Sequence, residues 1–310
     1  MRRALLALRI VLTVGVLGAV LASADLGALG RLLGTAHVGY FVAAVGALLV
    51  QGLVLAARFR AIIGRLGPPL DATRAVALTF VGLLFNQVLP SAVGGDAVRA
   101  WQLRAGGRGW HEAVTIVLLD RGSGVLVLAV LAASAVALEP SGALAPLRGV
   151  LFAVAAAGVA AAVVLAAADR LALLPPRVRK LLASNGLPAA ARVVFATRLV
   201  LPAVAWSAVS HLLAALAVYW LAAALGINAA IGPFVAAALC MLLATMIPLS
   251  YAGWGIREAG AVWLFGQLAI PAESALAISV LFGAALFVAA LPGAAFWLAP
   301  SRERGNAAVS

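Results

Sequence analysis

The sequence predicts an all-α polytopic membrane protein, on three observations. Of its 310 residues, 65% are hydrophobic and only 10% are charged, against roughly 45–50% and about 25% in soluble globular domains. Apolar runs of crossing length recur along the chain, and at about 20 residues per crossing the length admits at most about nine. The formal net charge is +12. In a soluble protein that excess would point to nucleic acid. Here Arg and Lys stand in short segments between apolar runs, where they set topology and meet anionic headgroups, so no nucleic-acid partner is expected. Disorder is excluded too, since it needs low hydrophobicity and high charge.

The elements follow in chain order. Arg2 and Arg3 precede an apolar stretch from Leu5 to Ala24 whose end, Ala22-Ser23-Ala24, resembles a signal-peptidase site. Its length and the internal Arg9 favour a retained first helix over a cleaved leader. Six runs, 5–24, 38–57, 113–138, 149–168, 199–225 and 274–298, are each long enough to cross. Two segments are marginal. Residues 75–90 carry Asn86 and Gln87 and stop at Pro90, and residues 233–248 stop at Pro248. A Gly-rich polar stretch and a second short helical piece follow each. With the N-terminus in the cytoplasm, Arg58, Arg60, Arg65 and Arg74 mark the inner end of the second span. Arg104 and Arg108 stay inside only if 75–90 enters and returns. The basic 169–198 segment is then cytoplasmic, and only Arg31 and Arg148 fall outside. This asymmetry favours six full spans plus two re-entrant helical hairpins over eight plain spans, with both termini cytoplasmic in the cell's inner membrane.

The same reading suggests an internal repeat within one transmembrane domain, 1–146 against 147–300. Asn86 through Arg99 and Pro248 through Glu258 both run proline, two glycines, then an acid and an arginine. Under the topology above the two hairpins enter from opposite sides, making an inverted repeat. Inverted repeats with broken helices near the midplane mark transporters. Pro90 and Pro248 stop a helix for want of an amide donor and are the expected hinges. Gly94-Gly95 and Gly253-Trp254-Gly255 permit a sharp turn and close backbone approach. New short helices are expected near Asp96 and Ile256, their N-termini suited to an anion.

Charges at membrane depth carry the functional signal, because each costs about 2.5–3.5 kcal/mol on insertion scales unless paired or hydrated. Three clusters qualify: Asp96 with Arg99, Asp120 with Arg121, and Arg257 with Glu258. One reading is structural, with ion pairs fastening the hairpins to the third span. The other is a polar site in which Arg99, Arg121 and Arg257 bind an anion, oriented by Asp96, Asp120 and Glu258. The planar guanidinium suits phosphate through paired hydrogen bonds. Asn86, Ser91, Gly94, Gly95, Gly253 and Gly255 complete the expected substrate-binding set, although for Ser91 taken alone a helix cap is the favoured reading. Gln51 is read as an interhelical hydrogen-bonding residue or a cavity residue, His211 as a packing donor, and Trp101, Trp110, Trp254, Trp263 and Trp297 as interface anchors, with Trp254 set apart by its place between two glycines. Lone Cys240 and the dispersed His37, His111 and His211 provide no metal framework, so no metal or other cofactor is expected.

These motifs resemble the transmembrane region of lysylphosphatidylglycerol synthases, a flippase-like membrane family. The matching runs are Asn86-x-x-x-Pro90-Ser91-x-x-Gly94-Gly95-Asp96-x-x-Arg99, then Asp120-Arg121-x-x-Gly124, then Pro248 through Gly253-x-Gly255-x-Arg257-Glu258. The resemblance implies moving or handling lipids across the cytoplasmic membrane. In the fused relatives, the membrane part flips aminoacylated phosphatidylglycerol made by a soluble C-terminal domain. Only a short polar tail, residues 299–310, follows the last span here, so a stand-alone member without aminoacyltransferase activity is expected. The sequence thus leads to a non-enzymatic lipid flippase or translocase whose partners are membrane lipids with anionic headgroups. It has no G-x-x-x-x-G-K-[ST] nucleotide motif. An ion-coupled small-anion transporter, and an integral-membrane enzyme or accessory subunit acting on lipid-linked substrates, are the alternatives.

Overall fold

A computed structural model describes residues 26–89, 93–168, 170, 186–195, 198, 200–246 and 255–298. Within them the chain is helical: α1 (Leu26–Gly34), α2 (Val38–Leu66), α3 (Ala72–Val88), α4 (Gly94–Ala105), α5 (Trp110–Leu138), α6 (Arg148–Ala167), α7 (Leu187–Phe195), α8 (Val200–Ala224), α9 (Ile231–Thr245), α10 (Ile256–Gly266), α11 (Ala272–Ala290) and α12 (Pro292–Leu298). Five helical stretches are long and apolar enough to cross a membrane: Val38–Leu66, Trp110–Leu138, Ala145–Ala167, Val200–Ala224 and Ala272–Leu298. They coincide with five of the six expected spans. The sixth, 5–24, lies outside the described residues, as do Pro90, Ser91, Pro248, Gly253 and Trp254.

The two marginal segments are short apolar helices, α3 and α9. Leu89, at the end of α3, is extended (φ −81, ψ 145), the conformation imposed on a residue that precedes proline. Each short helix packs against the next one, α3 on α4 and α9 on α10. A long helix, two short helices and a long helix therefore occur twice, as α2–α5 and α8–α11. Asp71 caps α3, its carboxylate accepting the Thr73 amide hydrogen at 2.9 Å. That hydrogen bond holds the exposed Asp71 carboxyl below its ordinary pKa. No side chain caps α9.

The most extensive helix contact joins α2 to α8, the corresponding long helices of the two series. Both helices bury small residues, Ala44, Ala47 and Ala56 on α2 and Ala203, Ser207, Ser210, Ala214 and Ala217 on α8. Where lipid replaces water, association relies on such backbone proximity rather than hydrophobic expulsion. Helix α9 packs across to α5, and α11 packs on α2 and α3, so the two series interlock. Helix α6 faces outward, with Val150, Phe152, Val159 and Val163 all exposed. An apolar surface of that kind belongs in a bilayer. Trp101, Trp110, Trp263 and Trp297 are also exposed.

Candidate functional site

Charged side chains from three helices meet at the centre of the first series. Arg58 of α2 donates from Nε to Asp120 Oδ1 at 3.0 Å and from Nη1 to Ser207 Oγ at 2.9 Å. Arg99 of α4 donates to Asp120 Oδ2 at 3.0 Å and to Asp96 Oδ1 at 3.4 Å. Arg121 of α5 donates to Asp96 Oδ2 at 2.5 Å. The result is an alternating chain, Ser207–Arg58–Asp120–Arg99–Asp96–Arg121, with three guanidinium groups against two carboxylates. The Arg99 guanidinium also lies 3.8 Å from the centroid of the Phe59 ring, a cation–π contact that offsets part of its desolvation. Arg99 Nε is buried without a hydrogen-bond partner.

Glycines make room for this chain. A Cβ on Gly82 would meet Arg99 Cδ at 2.5 Å, and one on Gly124 would meet Arg58 Nη1 at 2.8 Å. Gly95 lies so close to the Gly82 carbonyl that a Cβ would overlap it. The Gly95 amide donates to Asn86 Oδ1 at 2.8 Å, tying the start of α4 to the end of α3. A Cβ on Gly94 would meet Leu89 Cβ at 2.6 Å. The glycine pair thus lets α4 begin in contact with α3.

The second series is built differently. Glu258 is fully buried. Its Oε1 accepts from Arg257 Nε at 3.0 Å, Arg257 Nη2 at 2.7 Å and Ser279 Oγ at 3.0 Å. Its Oε2 accepts from the Gly255 amide at 2.6 Å, an N-terminal capping bond for α10. Gly255 has φ +86, a left-handed conformation that suits glycine alone. Arg257 Nε also reaches Ser279 Oγ at 3.1 Å, and its guanidinium lies against Gly283, where a Cβ would meet Nη2 at 2.6 Å.

Both arrangements border one cavity of about 290 Å³ lined by Arg58, Arg99, Arg121, Arg257, Asp96 and Asp120. Asn86, Gln87, Gln51 and Thr79 add polar lining, and Leu55, Leu83, Val125, Leu128, Phe282 and Leu286 make the walls apolar. Arg99, Arg121 and Arg257, assigned from sequence to one site, therefore do share a space. Gly94, Gly95 and Gly255 hold helix starts, and Glu258 lies behind Arg257. Among these residues four arginines face three carboxylates, a net positive charge.

Sequence reasoning missed Arg58, which it placed at the cytoplasmic end of the second span. Helix α2 runs on to Leu66, so Arg58 lies inside it and is 5% exposed. A signal was present: Gln51, Leu55 and Arg58 recur at helical spacing and all line the cavity. The same periodicity marks Ser210, His211 and Ala214 on α8, which also line the cavity. His211 Nε2 donates to the Gly124 carbonyl at 2.9 Å, the packing role expected for it. No group of His, Cys, Asp and Glu able to hold a metal occurs among the described residues.

The family model described as Lysylphosphatidylglycerol synthase TM region matches residues 6–293. The chain belongs to that family and is an integral membrane protein related to lipid handling. No curated protein matches it.

Proposed function

We propose that this member of the lysylphosphatidylglycerol synthase transmembrane family is an inner-membrane lipid translocase, without enzymatic activity, that carries an anionic phospholipid or lipid-linked headgroup. The observation that carries the reading is the convergence of Arg58, Arg99, Arg121 and Arg257 on one cavity with net positive charge and apolar walls. Guanidinium groups in such a setting bind phosphate strongly, because their hydrogen bonds are charge-assisted and little water screens them. At about 290 Å³ the cavity is at the lower limit of small-molecule sites and suits a headgroup.

The paired series α2–α5 and α8–α11 support a mechanism. With α3/α4 and α9/α10 as hairpins entering from opposite sides, the headgroup binds between the two breaks. Rocking of one series against the other exposes it first to one leaflet and then to the other. The alternating salt-bridge chain supplies the switchable element. An arriving phosphate competes with Asp96 for Arg121 and with Asp96 and Asp120 for Arg99, loosening contacts between α4 and α5.

The test is reconstitution in vesicles with a fluorescent phosphatidylglycerol, following its accessibility to a membrane-impermeant quencher. Wild type is expected to move it faster than protein-free vesicles, and Arg99→Ala and Arg121→Ala to abolish the difference. Undiminished translocation by both variants would reject the site. Uptake of inorganic phosphate into the vesicles with no lipid movement would favour the small-anion transporter instead.

A further inference from the structure

A second space adjoins the arginine cavity, and nothing above uses it. Between α5, α6 and α7 runs an apolar groove of about 540 Å³. Its walls are Leu118, Leu126, Val154, Leu165 and other apolar or glycine residues, and Arg121 is its one charged lining residue. Arg121 and Val125, one helical turn apart on α5, line both the groove and the cavity. One wall thus separates a cationic polar space from a larger apolar one. Of the cavity arginines, Arg121 is the most accessible, with 25% of its side chain exposed against 10% for Arg99 and 6% for Arg58.

We propose that this groove seats an acyl chain of the anionic phospholipid whose headgroup enters the cavity, so that the bound lipid straddles α5 at Arg121 and Val125. The inference rests on the lipid-translocation reading above and deepens it. The cavity accommodates a headgroup and has no room for two acyl chains, so the tails must lie elsewhere. The groove meets the cavity along Arg121 and Val125, the rest of its lining is apolar or glycine, and the Arg121 guanidinium stands at the edge shared by the two spaces. Charge at one end and hydrocarbon along the rest is the pattern of an amphiphile. Buried Arg99 Nε, without a partner, is a further donor at the headgroup end. Burial of the tail brings no hydrophobic gain relative to the bilayer, so the groove acts through packing contacts. It fixes where the tail lies and orients the headgroup.

The experiment uses the full chain in phosphatidylcholine vesicles with a phosphatidylglycerol bearing a diazirine in one acyl chain, and maps the photo-adducts. Adducts are expected in the groove, at Leu118 and Val154. They should exceed those at Val159 and Val163, on the exposed face of α6, by about fivefold, the scale of a modest packing preference in a bilayer. Unlabelled phosphatidylglycerol should suppress them, and added phosphatidylcholine should not. Ala162→Phe and, independently, Ala161→Phe should fill the groove and remove the adducts, whereas Val163→Phe, outside the groove, should leave them. Ala161 is exposed and Ala162 half-buried, and neither belongs to the buried core. Uniform labelling of α6, or groove labelling that survives both fillers, overturns the inference while leaving headgroup binding intact. If phosphatidylglycerol shows no advantage over phosphatidylcholine even at the Arg99-dependent translocation step, the parent reading fails and the tail site with it.

Discussion

The two helix breaks share a sequence pattern and use it differently. At the α3/α4 break, Asp96 and Arg99 reach outward: Arg99 spans to Asp120, Asp96 takes Arg121, and Arg58 joins from α2. Among the described residues the network sets three guanidinium groups against two carboxylates, and Arg99 Nε has no hydrogen-bond partner. At the α9/α10 break, Arg257 and Glu258 satisfy each other, with Ser279 and the Gly255 amide filling the remaining carboxylate positions. A closed pair fixes structure, and an open chain with excess charge has capacity for a ligand. The second break is thus fastened largely by its own neighbouring pair, while the pairs of the first reach across three helices.

Breaking the closed pair should give the largest effect. Glu258→Gln leaves Arg257 buried with its carboxylate gone, and loss of one member of a buried pair costs about 3–5 kcal/mol. Thermal unfolding in lipid nanodiscs should show a large drop, and a small one would mean that the second break is as adaptable as the first. Next comes Gly95→Ala, which forces a methyl into the Gly82 carbonyl and separates α3 from α4. Overpacking of this kind costs about 1–3 kcal/mol, so the same assay should register it clearly. Arg121→Ala sharpens the contrast differently. Stability should change little at this partly exposed position, while phosphatidylglycerol binding weakens about tenfold, equivalent to about 1.4 kcal/mol. Arg121→Lys should restore only part of it, because an ammonium lacks the planar fork. Ser207→Ala removes one hydrogen bond to Arg58 and should cost about 1.5 kcal/mol, near the lower end for bonds to charged groups.

The smallest effect distinguishes the starts of the two short helices. Asp71 caps α3 with a carboxyl held below its ordinary pKa, whereas α9 has no side-chain cap. The Asp71 contribution is fully present above the ordinary carboxyl pKa and is lost as pH falls through the lowered one. Protection of the amides at the start of α3, measured against their intrinsic exchange rates, should therefore fall on acidification. Exchange at the start of α9 should show no matching loss of a cap, and Asp71→Asn, which keeps an acceptor, should remove the dependence at α3.

The membrane class, the five described helices of crossing length and the places where short helices begin, near Asp96 and Ile256, were legible because they depend on local properties such as apolar run length and glycine. The charged clusters were legible for the same reason, since an arginine or aspartate in an apolar run demands a partner wherever it sits. The partners themselves were not. Asp120 and Arg121 are adjacent in sequence, but adjacent helical residues point in different directions. Their bonds run instead to Arg58, Arg99 and Asp96 on other helices. Arg257 and Glu258 pair as neighbours because they stand in the first turn of α10, where Glu258 folds back onto the Gly255 amide. Composition and punctuation therefore determined what the chain is and where it bends. Only tertiary packing decided that Arg58 belongs to the cavity and that one break stays open while the other closes, because which charges meet depends on which helix faces the small residues of α2, α5 and α8 bring together.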